Sequence, residues 1–136
     1  MIGSLICDSS AVRSLRKLVL PGFEFFVLDV VEHELGVELG ELKHPAWKTV
    51  SLPGPAFELA RQIQFDHPVL TFGDSFSLAY AKNDPRTSLL TLNERILGSA
   101  TLRRDYSVVD LNSVLRPSIQ KANSSAWKKH GLQFRL

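Results

Sequence analysis

Five short apolar segments alternate with stretches whose apolar residues recur at helical spacing. The segments are Ile2–Cys7, Glu24–Leu28, Trp47–Leu52, Ser88–Leu92 and Tyr106–Leu111, and each reads as a strand. Helical spacing follows at Val12, Leu15, Leu18 and Val19, at Val30, Val31 and Leu35, at Phe57, Ala60, Arg61 and Gln64, and at Ile96, Leu97 and Ala100. Strands that alternate with helices build βαβ units, whose sheet must be covered on both faces. The expected fold is therefore a three-layer α/β/α domain with a central, mostly parallel sheet. Trp47–Leu52 is expected at an edge of that sheet.

The alternation also fixes where chemistry can gather. In open parallel sheets, ligands sit beyond the carboxyl ends of the strands. Asp8, Asp29, Asn93 and Asp110 each close one of the expected strands, and Glu34 lies on the helix after Asp29. Asp74 stands at the front of the apolar run LTFGDSFSLAYAK, where Phe76, Ala79 and Tyr80 mark a buried helix. Each residue has an ordinary role as well. Asp8 suits a turn or a cap, Asp74 and Asn93 suit N-caps, and Glu34 suits a solvated helix face. Asp29 with Glu32 resembles a capping box. Carboxylates gathered at one edge repel, and burying them is costly unless a cation compensates. Oxygen-only donors suit Mg²⁺ or Mn²⁺.

The rest of the composition narrows the classes. At 136 residues the chain is long enough for one domain with a proper core. No apolar run approaches a membrane span, and the start lacks a signal-peptide pattern, so a cytoplasmic protein without membrane attachment is expected. The single cysteine, Cys7, lies in an apolar strand and reads as a buried, inert thiol. The four histidines show no zinc spacing, and neither GxGxxG, a Walker loop nor GxSxG occurs. Net charge is +2, but Met1–Ala81 holds ten acids against six bases, whereas Lys82–Leu136 holds ten bases against four acids. Such a division suits a protein that collects cations in one place and phosphates in another. Arg13, Arg16 and Lys17, then Arg95, Arg103 and Arg104, are the candidate phosphate contacts.

ICDSSAV, VLDVVEHEL, LTFGDSFSLAYAK, LLTLNERI and YSVVDL occur in the order of a PIN domain, and the chain resembles that family over roughly residues 1–115. LTFGDSFSLAYAK carries the resemblance furthest. It is similar to the family's helix L(S/T)F-x-D-(A/S)-x-x-LA-x-A. The resemblance implies a compact nuclease that holds Mg²⁺ or Mn²⁺ through acidic residues and hydrolyses RNA. It implies an endoribonuclease of the small prokaryotic toxin type, whose partners are RNA and an antitoxin protein, with a homodimer left open. By motif, Asp8, Glu34 and Asp74 match the metal-holding acids, with Glu32 a rival to Glu34 in register. Asn93 falls where many members have Asp and completes the catalytic set. That departure removes a charge, so metal affinity should fall, and a PIN-like RNA- or protein-binding module is the alternative reading. Residues 116–136 form a basic tail beyond the fold, either flexible or docked through Trp127 and Phe134.

Overall fold

The computed structural model describes residues 3–14, 22–36 and 47–114. The basic tail after residue 115, and with it Trp127 and Phe134, lies outside the described residues, as do Arg16 and Lys17.

All five expected strands form: β1 (Gly3–Cys7), β2 (Phe23–Leu28), β3 (Trp47–Val50), β4 (Thr87–Thr91) and β5 (Val108–Asp110). They pair in the order β3-β2-β1-β4-β5, and every pairing is parallel. Trp47–Val50 is an edge strand, as its weak alternation suggests. Between the strands run α1 (Ser9–Val12), α2 (Asp29–Leu35), α3 (Phe57–Asp66), α4 (Phe72–Asn83), α5 (Glu94–Leu97) and α6 (Ala100–Asp105). The result is a three-layer α/β/α fold. No helix among the described residues is long and apolar enough to cross a membrane.

The core follows from the composition of the inner strands. Ile6, Cys7, Val27, Leu28, Leu89 and Leu90 are completely buried. Strands covered on both faces have no solvent side, so they read as near-continuous apolar runs. Cys7 lies within this layer, and desolvation pushes its thiol pKa up, as expected of an inert cysteine. Helix α4 packs across β1, β2 and β4 and against α2 and α3. Its residues Leu78, Ala79 and Ala81 are buried, and small side chains there let the helix lie close to the sheet.

Register places the polar residues. Cys7 stands opposite Val27 on one side and Leu90 on the other. One residue further along, β1 gives way to Asp8 and β4 ends at Thr91, while β2 continues with the buried Leu28. Asp8 therefore emerges between two neighbours of the inner sheet, at its carboxyl edge.

Two local readings are corrected. Asp29 and Glu32 do not form a capping box: the N-cap residue Leu28 has no side-chain cap bond. Asp29 instead accepts from the Val30 amide and from Ser51 Oγ, while Glu32 accepts from Trp47 Nε1 and Thr49 Oγ1. Both acids are drawn toward β3 and the chain after it, where hydroxyl and indole donors are within reach. Asp74 is not the N-cap of α4 either. The helix begins earlier, and Thr71 holds that position.

Candidate functional site

The site starts from Asp8. Its side chain is 0% exposed, yet three donors converge on it. Ser10 Oγ donates to Oδ1 at 2.6 Å, the Ala11 amide donates to Oδ1 at 3.0 Å, and Thr91 Oγ1 donates to Oδ2. The Ala11 bond is the N-cap of α1, so the ordinary capping role is real. The hydroxyl donors come from the turn after β1 and from the end of β4. They are themselves fixed. The Leu92 amide donates to Ser10 Oγ at 2.9 Å, and the Asn93 amide donates to Thr91 Oγ1 at 2.9 Å. These bonds tie the ends of β1 and β4 into one polar unit above the apolar layer.

Asp74 sits one turn into α4 and is 5% exposed. It closes a capping box. Thr71 Oγ1 accepts from the Asp74 amide at 3.1 Å, and Asp74 Oδ2 accepts from the Thr71 amide at 3.2 Å. Asn93 Nδ2 donates to the same Oδ2 at 3.1 Å. Oδ1 receives no hydrogen bond among the described residues. A cap alone does not require a carboxylate placed this deep.

Burial raises the pKa of both acids. For Asp8 the desolvation is opposed by Ser10, Thr91 and the Ala11 amide, and the charge of Asp74 adds to the rise. For Asp74 the opposing groups are Thr71, Arg95 and Asn93. Burial wins in both cases because most of these partners are neutral donors, which stabilise a carboxylate less than a paired cation does.

Glu34 reaches the same region from α2. Its carboxylate accepts from the Gly73 amide at 3.3 Å and from Thr71 Oγ1 at 3.5 Å, so it rests on the first turn of α4. Helix residues two apart point in different directions, which separates Glu34 from its rival Glu32 over β3. The approach is close: a Cβ on Gly73 would collide with Glu34 Oε1 and crowd Val31 Cγ2 at 3.1 Å. Gly73 is the seat that lets Glu34 descend.

Asn93 is not placed as an oxygen donor to the site. Its Oδ1 accepts from the Arg95 amide at 2.9 Å and caps α5, leaving Nδ2 to face Asp74. An Asp in this position would set a second negative oxygen against Asp74 where Asn sets an N–H.

The basic residues divide. Arg95 lies beside Asp74 and lowers the cost of its charge. Arg13 is the exposed C-cap of α1. Arg103 donates to the Leu97 carbonyl at 3.5 Å, and Arg104 pairs with Asp105 at 3.0 Å on the exposed side of α6.

The structure thus brings Asp8, Asp74 and Asn93 together, with Glu34 seated next to them. Ser10, Thr71, Thr91 and Gly73 complete the arrangement, and none of these four is identified by reading the acids alone. The Thr71-x-x-Asp74 spacing was a legible capping signal. Among the described residues no group of three or more His, Cys, Asp or Glu stands as a metal-holding cluster. The donors are nevertheless of the kind a hard divalent ion takes: carboxylate oxygens, one of them without a hydrogen bond. Compared with family models, with curated proteins and with solved structures, the chain finds no match.

Two predictions follow from this geometry. The folded chain holds the Asp8 and Asp74 protons more tightly than the unfolded chain does. Their contribution to stability is therefore fully present below the ordinary carboxylate pKa and is lost as pH rises through their raised values. In metal-free buffer the urea midpoint should fall over that interval, and Asp74→Asn, which keeps an acceptor for Thr71 and Asn93, should flatten the fall. An unchanged slope in the variant would refute the charge-burial argument. The second concerns Gly73. Alanine ordinarily stabilises a helix over glycine, by up to roughly 1 kcal/mol in the interior and less in the first turn. Gly73→Ala should bring no gain in the native chain but should gain in a Glu34→Ala background, as a double-mutant cycle by urea unfolding would detect. Equal effects in both backgrounds would mean that Glu34 does not use this seat.

Proposed function

We propose that the chain is a metal-dependent nuclease of PIN type that hydrolyses RNA phosphodiester bonds. One observation carries the reading: two carboxylates, Asp8 and Asp74, are both buried at the carboxyl edge of a parallel sheet, where desolvation opposes the charge of each and Asp74 adds to the cost of charging Asp8. Desolvating a charge costs several kcal/mol even after relaxation. A fold that served stability alone would gain by replacing one of them. The arrangement becomes favourable when a cation is shared.

Asp8 and Asp74 would hold the ion, with Glu34 able to join by leaving the Gly73 amide. When bound, Mg²⁺ or Mn²⁺ supplies an acidified water and neutralises charge on the phosphate. The chain supplies the rest. Ser10, Thr91 and the Ala11 amide fix both oxygens of Asp8. Thr71 and Asn93 hold one oxygen of Asp74 and leave the other free. Arg95 offsets negative charge at the site and is positioned to meet a substrate phosphate. An antitoxin protein as partner belongs to the same proposal and is supported by the family resemblance alone.

A second reading has its own observation. Asn93 presents an N–H to Asp74 and so partly satisfies that carboxylate without a metal. On this reading the chain binds RNA or protein and has lost catalysis. Cleavage of a labelled RNA panel by the full-length chain with Mn²⁺ separates the two. The nuclease reading expects Mn²⁺-dependent cleavage that Asp8→Asn and Asp74→Asn each reduce at least about 100-fold, in keeping with loss of a charge-stabilising group. RNA binding without any cleavage by the native chain would favour the binding module. Cleavage that survives both substitutions would reject this site.

A further inference from the structure

Phe72 opens helix α4 two residues before Asp74, and its ring is 64% exposed. An aromatic ring left in water at this position gains nothing from the core. The ring is nevertheless held in place. It meets Phe76 edge-on, with centroids 6.4 Å apart and planes at 70°, and Phe76 in turn meets Phe57 at 5.6 Å and 86°. Phe57 is itself 46% exposed. Such edge contacts orient a ring and leave a face free.

The backbone carrying Phe72 is also anchored. Gln64 Nε2 donates to the Leu70 carbonyl at 2.8 Å, and Leu70 is buried. Arg95 Nη1 donates to the Val69 carbonyl at 3.2 Å. Arg95 is exposed, and among the described residues its guanidinium is held by a neutral carbonyl instead of an ion pair. An exposed cation and an oriented ring are thus fastened to the same short segment, Val69 to Phe72, at the border of the buried carboxylates.

We propose that Phe72 and Arg95 form a subsite for one unpaired nucleotide of a single-stranded nucleic acid, the base stacking on Phe72 and an adjoining phosphate meeting Arg95. Proteins that take single strands combine an aromatic platform with positive charge in this way. A second copy of the chain could cover the exposed rings, but an apolar contact of that kind makes no use of the exposed Arg95 cation beside them. The Arg95 cation bonded to the segment favours a polyanion. The inference deepens the nuclease reading and rests on it for the subsite's place beside the scissile phosphate. Base stacking on Phe72 is separable from that reading.

The test is an equilibrium titration of short single strands, RNA and DNA, carrying 2-aminopurine, into the full-length chain in metal-free buffer. The native chain should quench the probe on binding. Phe72→Ala should weaken binding about 5- to 150-fold, the range measured for loss of one stacked base, and Phe72→Trp should restore it. Strands abasic at that position, followed by the anisotropy of a terminal dye, should bind the native and Phe72→Ala chains alike. Arg95→Gln should lower the slope of log affinity against log salt by about 0.7, as expected for one lost phosphate contact. Equal affinity of native and Phe72→Ala chains, or no binding by the native chain, overturns the subsite. So does a Phe72→Ala chain that sediments as a monomer where the native chain is a dimer, with strand affinity unchanged. Cleavage by the native chain with no Phe72 effect sinks the subsite alone. A Phe72-dependent quench without Mn²⁺-dependent cleavage sinks the nuclease reading alone.

Discussion

Parallel register between β1 and β4 sets Cys7 opposite Leu90 and so delivers Asp8 beside Thr91. The rest of the site depends on that step. A one-residue slip would turn every side chain of β1 to the opposite face and put Asp8 among apolar neighbours on the other side of the sheet. The buried strands prevent the slip, because Leu5, Ile6 and Cys7 have no solvent side to move to. The apolar layer therefore does more than stabilise the fold. It holds a carboxylate at a depth where its charge is costly, and it keeps the hydroxyls of Ser10 and Thr91 in place around it.

Around this fixed acid the chain assembles neutral donors and not a third buried charge. Asp74 comes from the first turn of α4, oriented by Thr71, and Asn93 comes from the start of α5. Glu34 is the outlying acid. It is exposed, and its carboxylate accepts from the Gly73 amide and from Thr71 Oγ1 on the first turn of α4. The site is consequently one of two deep carboxylates with an exposed third beside them, and Asn93 avoids the repulsion that an Asp would add.

Much of the fold was legible because two periods alternate cleanly along the chain. Val27-Leu28 followed by Val30, Val31 and Leu35 switches from strand to helix without ambiguity, and strand ends marked by Asp or Asn trace the carboxyl edge of the sheet. Details set by tertiary neighbours were not legible. Asp29 and Glu32 have the spacing of a capping box, but Ser51, Thr49 and Trp47 attract them across the sheet edge. The choice between Glu32 and Glu34 required knowing that β3 lies on one side of α2 and Gly73 on the other. Asn93 stands in sequence where many members of the family it resembles have Asp, but which of its amide atoms faces the site is not legible there: its oxygen is spent on the Arg95 amide and its nitrogen faces Asp74. Phe72 passed for one more residue of an apolar run, since exposure is a property of the folded chain. Asp74 was expected at the cap. The helix starts at Phe72 because Thr71 satisfies the free amide first.

The central claim is that the two deep carboxylates are tolerated because they take a divalent cation. Titration of Mn²⁺ into the metal-free, full-length chain, with the free ion followed by electron paramagnetic resonance, addresses it without reference to any substrate. The account predicts saturable uptake by the native chain that is lost in Asp74→Asn. No uptake by the native chain, or equal uptake by the two, would contradict it.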